Sequence, residues 1–108
     1  MAYVEDYVER EPSLPEVNVL RGKTLLEFGN PACGYCLRAQ AFIRQALASH
    51  TDVHHIKISD ASGRRLGRTF RVKLWPTLVF LKNGGEVSRL VRPTAVEAIR
   101  EALAGIGR

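Results

Sequence analysis

A chain of 108 residues, 45% hydrophobic and 25% charged, has the size and balance of a single globular domain, which buries roughly two-thirds of its unfolded surface without a disulfide framework or a structural metal. Its two cysteines stand three positions apart, where a bridge closes too short a loop to stabilise much, so they are free for chemistry. No apolar run nears the roughly 20 residues of a membrane span, and the formal charge of +5 hides an asymmetry: within residues 1–30 six acids outnumber three bases, so the rest of the chain carries the positive excess.

The N-terminus Met1-Ala2-Tyr3-Val4-Glu5-Asp6 has no basic flank followed by an apolar stretch, which makes the cytoplasm the default compartment, with the periplasm the alternative for a chain whose signal peptide has been removed. Residues 1–12 carry no readable element, and a single domain is expected over 13–108. Ser13-Leu14-Pro15-Glu16 reads as a capping box opening a short helix to about Leu20, with a stop at Gly22. Thr24-Leu25-Leu26-Glu27-Phe28 is the compact apolar run of a buried strand, ending at Gly29-Asn30-Pro31. From Gly34 to about Ser49, Ala39, Phe42, Ile43, Ala46 and Leu47 recur at three- and four-residue spacing, which predicts a helix with one buried stripe. Val53–Ile58 is a candidate strand, Ser62 to about Phe70 a short helix, and Thr77–Leu81 an apolar strand. Asn83-Gly84-Gly85 tolerates positive φ, so Glu86–Val91 returns antiparallel. Thr94-Ala95-Val96-Glu97 reads as a second capping box, before a helix with Val96, Ile99 and Leu103 on one face. The order helix, β, α, β, α, β, β, α predicts a mixed sheet flanked by helices.

Three charged or polar patterns compete for function. The basic run Arg64–Lys73 reads as a solvated helix face, because nucleic-acid binding would interleave aromatics there. Cys33-x2-Cys36-x13-His50-x3-His54 fits the spacing of a two-Cys, two-His zinc site, a non-catalytic alternative. Such a finger places its cysteines on a hairpin and its histidines on a helix, whereas here the helix begins at the cysteines; His50 then caps the helix end, and His54 and His55 alternate along a strand. The third pattern is the Cys33-Gly34-Tyr35-Cys36 motif itself. Side chains at i and i+3 of a first helical turn lie close enough to join, so the pair can cycle between dithiol and disulfide. Free N–H groups and the helix dipole stabilise an anion at the helix start, which makes Cys33 the natural nucleophile.

A buried strand, a Cys-x-x-Cys opening a long helix and, about forty residues on, Trp75-Pro76-Thr77 leading into an apolar hairpin and a last helix together resemble the thioredoxin family over roughly residues 13–105. The resemblance implies an α/β thioredoxin-like fold. It also implies that the Trp75–Pro76 bond is cis beside the cysteines, and that Gly34, Tyr35, Trp75, Pro76 and Thr77 face the substrate. Glu27, six residues before Cys33, stands where the family carries a buried aspartate that exchanges protons with the second cysteine. As the one charge in an apolar strand, Glu27 is either a buried acid/base group or a residue at a wet edge of the sheet. Trp75 is either a core aromatic or a substrate contact. The chain departs from the family in Ala32 for tryptophan, Gly-Tyr for Gly-Pro between the cysteines, and a bulky Trp75 before Pro76.

The expected activity is reduction of protein disulfides by Cys33 and Cys36 with help from Glu27, without a bound cofactor or metal. The expected partners are protein disulfide substrates and a separate reductase as electron donor, with no nucleic acid or membrane and a monomeric chain. Gly-Tyr between the cysteines is also similar to bacterial periplasmic disulfide isomerases, which carry an added dimerisation domain, so an oxidase or isomerase is the alternative of the same fold.

Overall fold

In a computed structural model, which describes residues 2–61 and 64–107, the first capping box forms as its sequence predicts. The Glu16 N–H donates to the Ser13 hydroxyl and the Ser13 N–H to the Glu16 carboxylate, opening α1 (Leu14–Asn18). Five residues cannot hold a helix by themselves; Val17, fully buried, anchors it to the sheet.

Strand β1 (Lys23–Gly29) is central. It runs parallel to β2 (His54–Ser59) and antiparallel to β3 (Thr77–Lys82), which pairs antiparallel with β4 (Gly85–Val91), giving the order β2-β1-β3-β4. Helices α2 (Gly34–Leu47) and α4 (Val96–Ile106) cover one face of the sheet, α1 and the single turn α3 (Leu66–Thr69) the other. Coverage on both faces explains why β1 and β3 are apolar without alternation. Leu25, Leu78 and Phe80 pack against Ile43, Leu47, Ile99 and Leu103, whereas Leu26, Phe28, Val79 and Leu81 pack against Val17 and Leu66.

The α2 stripe is as predicted, with Ala39, Ile43, Ala46 and Leu47 fully buried and Phe42 half-buried against them. Asn83 (φ 48°) and Gly84 (φ 80°) make the two-residue hairpin turn, and Gly85 already belongs to β4. A Cβ on Gly84 would meet the Asn18 backbone carbonyl, so this glycine also permits α1 to approach the hairpin.

Several boundaries differ from the sequence reading. The second capping box does not form: the N-cap is Ala95, which places Glu97 one residue too early for the box, and its carboxylate pairs with Arg100 instead. Strand β2 begins at His54, although Val53 is buried. The expected start of the third helix at Ser62 lies outside the described residues, and the turn that follows covers only Leu66–Thr69, with no side-chain cap at Arg65. Helix α2 ends at Leu47, and the His50 backbone N–H, rather than its ring, bonds the Leu47 carbonyl.

Residues 2–12 form no helix or strand but lie along the domain. Ala2 is buried in the core, and the Val8 N–H donates to the Lys57 carbonyl at 2.9 Å.

Candidate functional site

Strand β1 ends at Gly29, and Asn30 forms the turn into α2 by accepting the Ala32 N–H on its side-chain oxygen (2.9 Å). Cys33 is the N-cap of α2 with an extended backbone (φ −90°, ψ 117°), and its sulfur accepts the Cys36 N–H at 3.2 Å, in the place a capping oxygen would take. Both cysteines are free thiols. Cys33 is partly exposed, whereas Cys36 is 1% exposed. Burial first, then hydrogen bonding with Cys33 and negative charge at Cys33 and Glu27, push the Cys36 thiol up to about 12. The two sulfurs are therefore chemically unequal, with one accessible and one held as a thiol.

The chain crosses back to the cysteines at residues 74–77. The Trp75–Pro76 peptide is cis, and the Trp75 carbonyl lies 4.0 Å from Cys33 Sγ. Trp75 is half-buried, its indole N–H donating to Asp60 at 2.9 Å, and its carbonyl accepts from Arg92 Nε at 2.8 Å. Tyr35 is 51% exposed under the guanidinium of Arg92, 3.9 Å from the ring centroid, with that of Arg38 at 4.7 Å. Pro76 and Tyr35 line a hollow of about 290 Å³ together with Phe42 and Arg92. Gly34 is exposed beside it. Thr77 is fully enclosed at the start of β3, its hydroxyl donating to the Leu74 carbonyl at 2.6 Å, so it shapes the loop rather than the surface.

Glu27 lies at no wet edge: β1 is flanked on both sides, and the residue is fully buried on the face toward α2. Its two oxygens accept from His55 Nε2 (2.8 Å) and Gln40 Nε2 (2.7 Å). His55 Nδ1 accepts the Val4 N–H at 3.0 Å, so Nε2 carries the ring proton and is the donor to Glu27. Gln40 Nε2 also donates to the Cys36 carbonyl (2.8 Å), tying Glu27 to the second cysteine through one side chain. Gln40 Oε1 accepts from the Tyr3 hydroxyl (2.7 Å) and Lys57 Nζ (3.0 Å), and Lys57 also donates to the Glu5 carbonyl. On the outer side of this network a cavity of about 540 Å³ brings Tyr7, Gln40 and Lys57 to the wall that Cys36 shares.

Sequence reasoning missed His55, Gln40, Lys57, Arg92 and the first eight residues. A signal existed for three of them. Gln40 follows Cys36 by one helical turn on the apolar stripe, and His55 and Lys57 recur at period two in an apolar strand. For Arg92 and the N-terminal segment nothing local points to the site. Of the zinc pattern, His54 is exposed on β2 while Cys36 is buried, and among the described residues no three His, Cys, Asp or Glu side chains converge to hold a metal.

No helix among the described residues is long and apolar enough to cross a membrane. The chain is similar to thioredoxin 2 from Pseudomonas aeruginosa PAO1 in its reduced form, at 44% identity over 94% of each chain with a TM-score of 0.84. It is also similar to thioredoxin NaTrxh from Nicotiana alata, at 25% identity over 84% of this chain and 78% of that one, with a TM-score of 0.71. Thioredoxin H2-1 of Oryza sativa subsp. japonica is 30% identical over 67 residues, a match spanning 62% of this chain and 49% of that relative. The family model for thioredoxin matches residues 14–105, through the strand, the cysteine helix, the cis-proline loop and the hairpin just described, and the chain therefore belongs to the thioredoxin family.

Proposed function

We propose that the protein is a thiol–disulfide oxidoreductase that reduces disulfides of protein substrates. The observation that carries this reading is the inequality of the two sulfurs: Cys33 is accessible at a helix start with its sulfur bonded to an N–H, while Cys36 is buried and held protonated. Cys33 as thiolate attacks one sulfur of the substrate disulfide, the first product leaves as a thiolate that takes a proton, and a Cys33–substrate disulfide remains. Cys36 then loses its proton and attacks Cys33 Sγ, which forms the Cys33–Cys36 disulfide and expels the second substrate thiolate. The protein ends oxidised by two electrons, and a separate reductase restores the dithiol.

Cys36 needs a base for the second step, because its thiol is pushed so far up. We assign that role to Glu27, the fully buried carboxyl whose charge helps to raise the Cys36 thiol and which shares the Gln40 amide with the Cys36 backbone carbonyl. The exposed Gly34–Tyr35 pair and the Trp75–Pro76 loop offer the surface that meets the substrate chain, with Thr77 holding the loop from within.

Two measurements test this reading. Cys36→Ser accumulates covalent substrate complexes and Cys33→Ser does not; the reverse refutes the assignment. Equilibration with glutathione places the potential nearer the roughly −270 mV of a reductase than the roughly −120 mV of a strong oxidant, and a value above about −180 mV moves the protein to the oxidase or isomerase side.

A further inference from the structure

Arg92 occupies a costly position. Its φ of 48° lies in the left-handed region that favours glycine, and it stands in the turn after β4 rather than in a strand or helix. The side chain accounts for the choice of an arginine there. Nε donates to the Trp75 carbonyl, the carbonyl that lies 4.0 Å from Cys33 Sγ, and the guanidinium sits over the Tyr35 ring of the cysteine motif, 3.9 Å from its centroid. Arg38 approaches the same ring from α2, close enough to Gly34 that a Cβ there would meet its Nη1 at 3.6 Å.

Neither arginine has a carboxylate partner among the described residues, although Arg10, Arg44, Arg89 and Arg100 each have one. Arg92 bonds within the chain only through Nε among the described residues, which leaves its two terminal nitrogens free, and it lines the hollow of about 290 Å³ together with Ala39, Phe42 and Pro76. Asp60, which accepts the Trp75 indole N–H, lines a surface hollow together with Arg64, Arg68, Arg71 and Lys73.

We propose, on the basis of the reductase reading above, that Arg92 and Arg38 select disulfides flanked by acidic residues, a carboxylate of the substrate chain bonding the free guanidinium nitrogens while the chain lies along the Trp75–Pro76 loop. Both guanidinium groups lie over the Tyr35 ring, and Arg92 couples the carboxylate contact to the carbonyl beside Cys33.

The test mixes reduced protein with three peptides that share one disulfide and differ only in flanking Glu, Gln or Lys, and follows single-turnover oxidation by fluorescence of Trp75, the chain's one tryptophan. The Glu-flanked peptide reacts about tenfold faster than the Lys-flanked one at low salt, and the ratio shrinks toward one at 1 M salt, where the screening length falls to about 3 Å. Arg92→Gln with Arg38→Gln lowers the ratio below about threefold. Arg92→Gly, which suits the left-handed backbone, lowers it in the same direction, whereas Lys82→Gln at the far end of β3 removes a charge and keeps the wild-type ratio. Equal rates for Glu and Lys peptides, or a ratio lowered as much by Lys82→Gln as by the arginine variants, overturn the proposal and leave the reductase reading standing. Reduction of none of the three peptides overturns both.

Discussion

Replacing Glu27 with Gln is the most informative single change, because two large effects oppose each other. Removing a buried charge relieves its desolvation cost, on the order of several kcal/mol for an unsolvated carboxylate. Here the carboxylate is not bare: it accepts from His55 Nε2 and Gln40 Nε2, and Lys57 sits opposite it in the strand register. A glutamine offers one acceptor and one NH2 in place of two acceptors, so an N–H must face an N–H. Reversing the His55 tautomer moves the conflict to the Val4 N–H. Turning Gln40 over sets its NH2 against Lys57 Nζ and gives up the Cys36 carbonyl, although the Tyr3 hydroxyl can rotate to accept. Every escape breaks at least one hydrogen bond of the network, at about 1–3 kcal/mol, and this outweighs the relief because the charge was already solvated by its neighbours. The thermal midpoint of the reduced protein therefore falls by about 5–15 °C. In the same variant the mixed disulfide resolves at least about tenfold more slowly, while the first attack by Cys33 changes less. Calorimetry and stopped-flow mixing with a disulfide substrate measure both. A midpoint that holds or rises, together with an unchanged resolution rate, refutes the buried network as the support of Cys36.

The raised Cys36 thiol also makes an alkaline signature. Its folded value, about 12, exceeds the ordinary 9.0, so between those values the unfolded chain has released a proton that the folded chain retains, and stability falls as pH rises through that window. Tyr7, raised chiefly by burial, contributes in the same direction; urea midpoints of reduced protein fall above pH 9, the fall is smaller in Cys36→Ala, and identical slopes contradict the assignment. Gly29→Ala places a Cβ 2.9 Å from Cys36 Sγ and 3.0 Å from the Tyr7 hydroxyl, so it costs about 1–3 kcal/mol and alters the alkylation rate of Cys36 more than that of Cys33; loss of stability with both rates unchanged argues against the close approach.

By itself the sequence determined those features whose cause is local. Ser13 and Glu16 close their own capping box, Asn83-Gly84 makes its own turn, and the spacing of Ala39, Ile43, Ala46 and Leu47 marks the buried stripe of α2. The Cys33–Cys36 pair was legible for the same reason, since three positions along a first helical turn bring the side chains together without help from the rest of the chain. Thr94 and Glu97 show where local signals end: the residues of a capping box are present, but packing of Ile99, Leu103 and Ile106 against the sheet sets a helix start one residue later, and the box stays open. Only tertiary structure decided that Glu27 is buried, because the same Leu-Leu-Glu-Phe run would expose it on an edge strand, and β1 is enclosed by β2 from one side and β3 from the other. Parallel pairing of β1 with β2 then sets His55 and Lys57 on Glu27's face of the sheet, and the N-terminal segment supplies the Val4 N–H that fixes which His55 nitrogen donates. These contacts join residues 28 to 51 positions apart, and Arg92 reaches Trp75 from 17 positions away across the β3–β4 hairpin and Tyr35 from farther still. No periodicity in the chain encodes such meetings, which exist only once the sheet order β2-β1-β3-β4 has brought the strand ends to the start of α2.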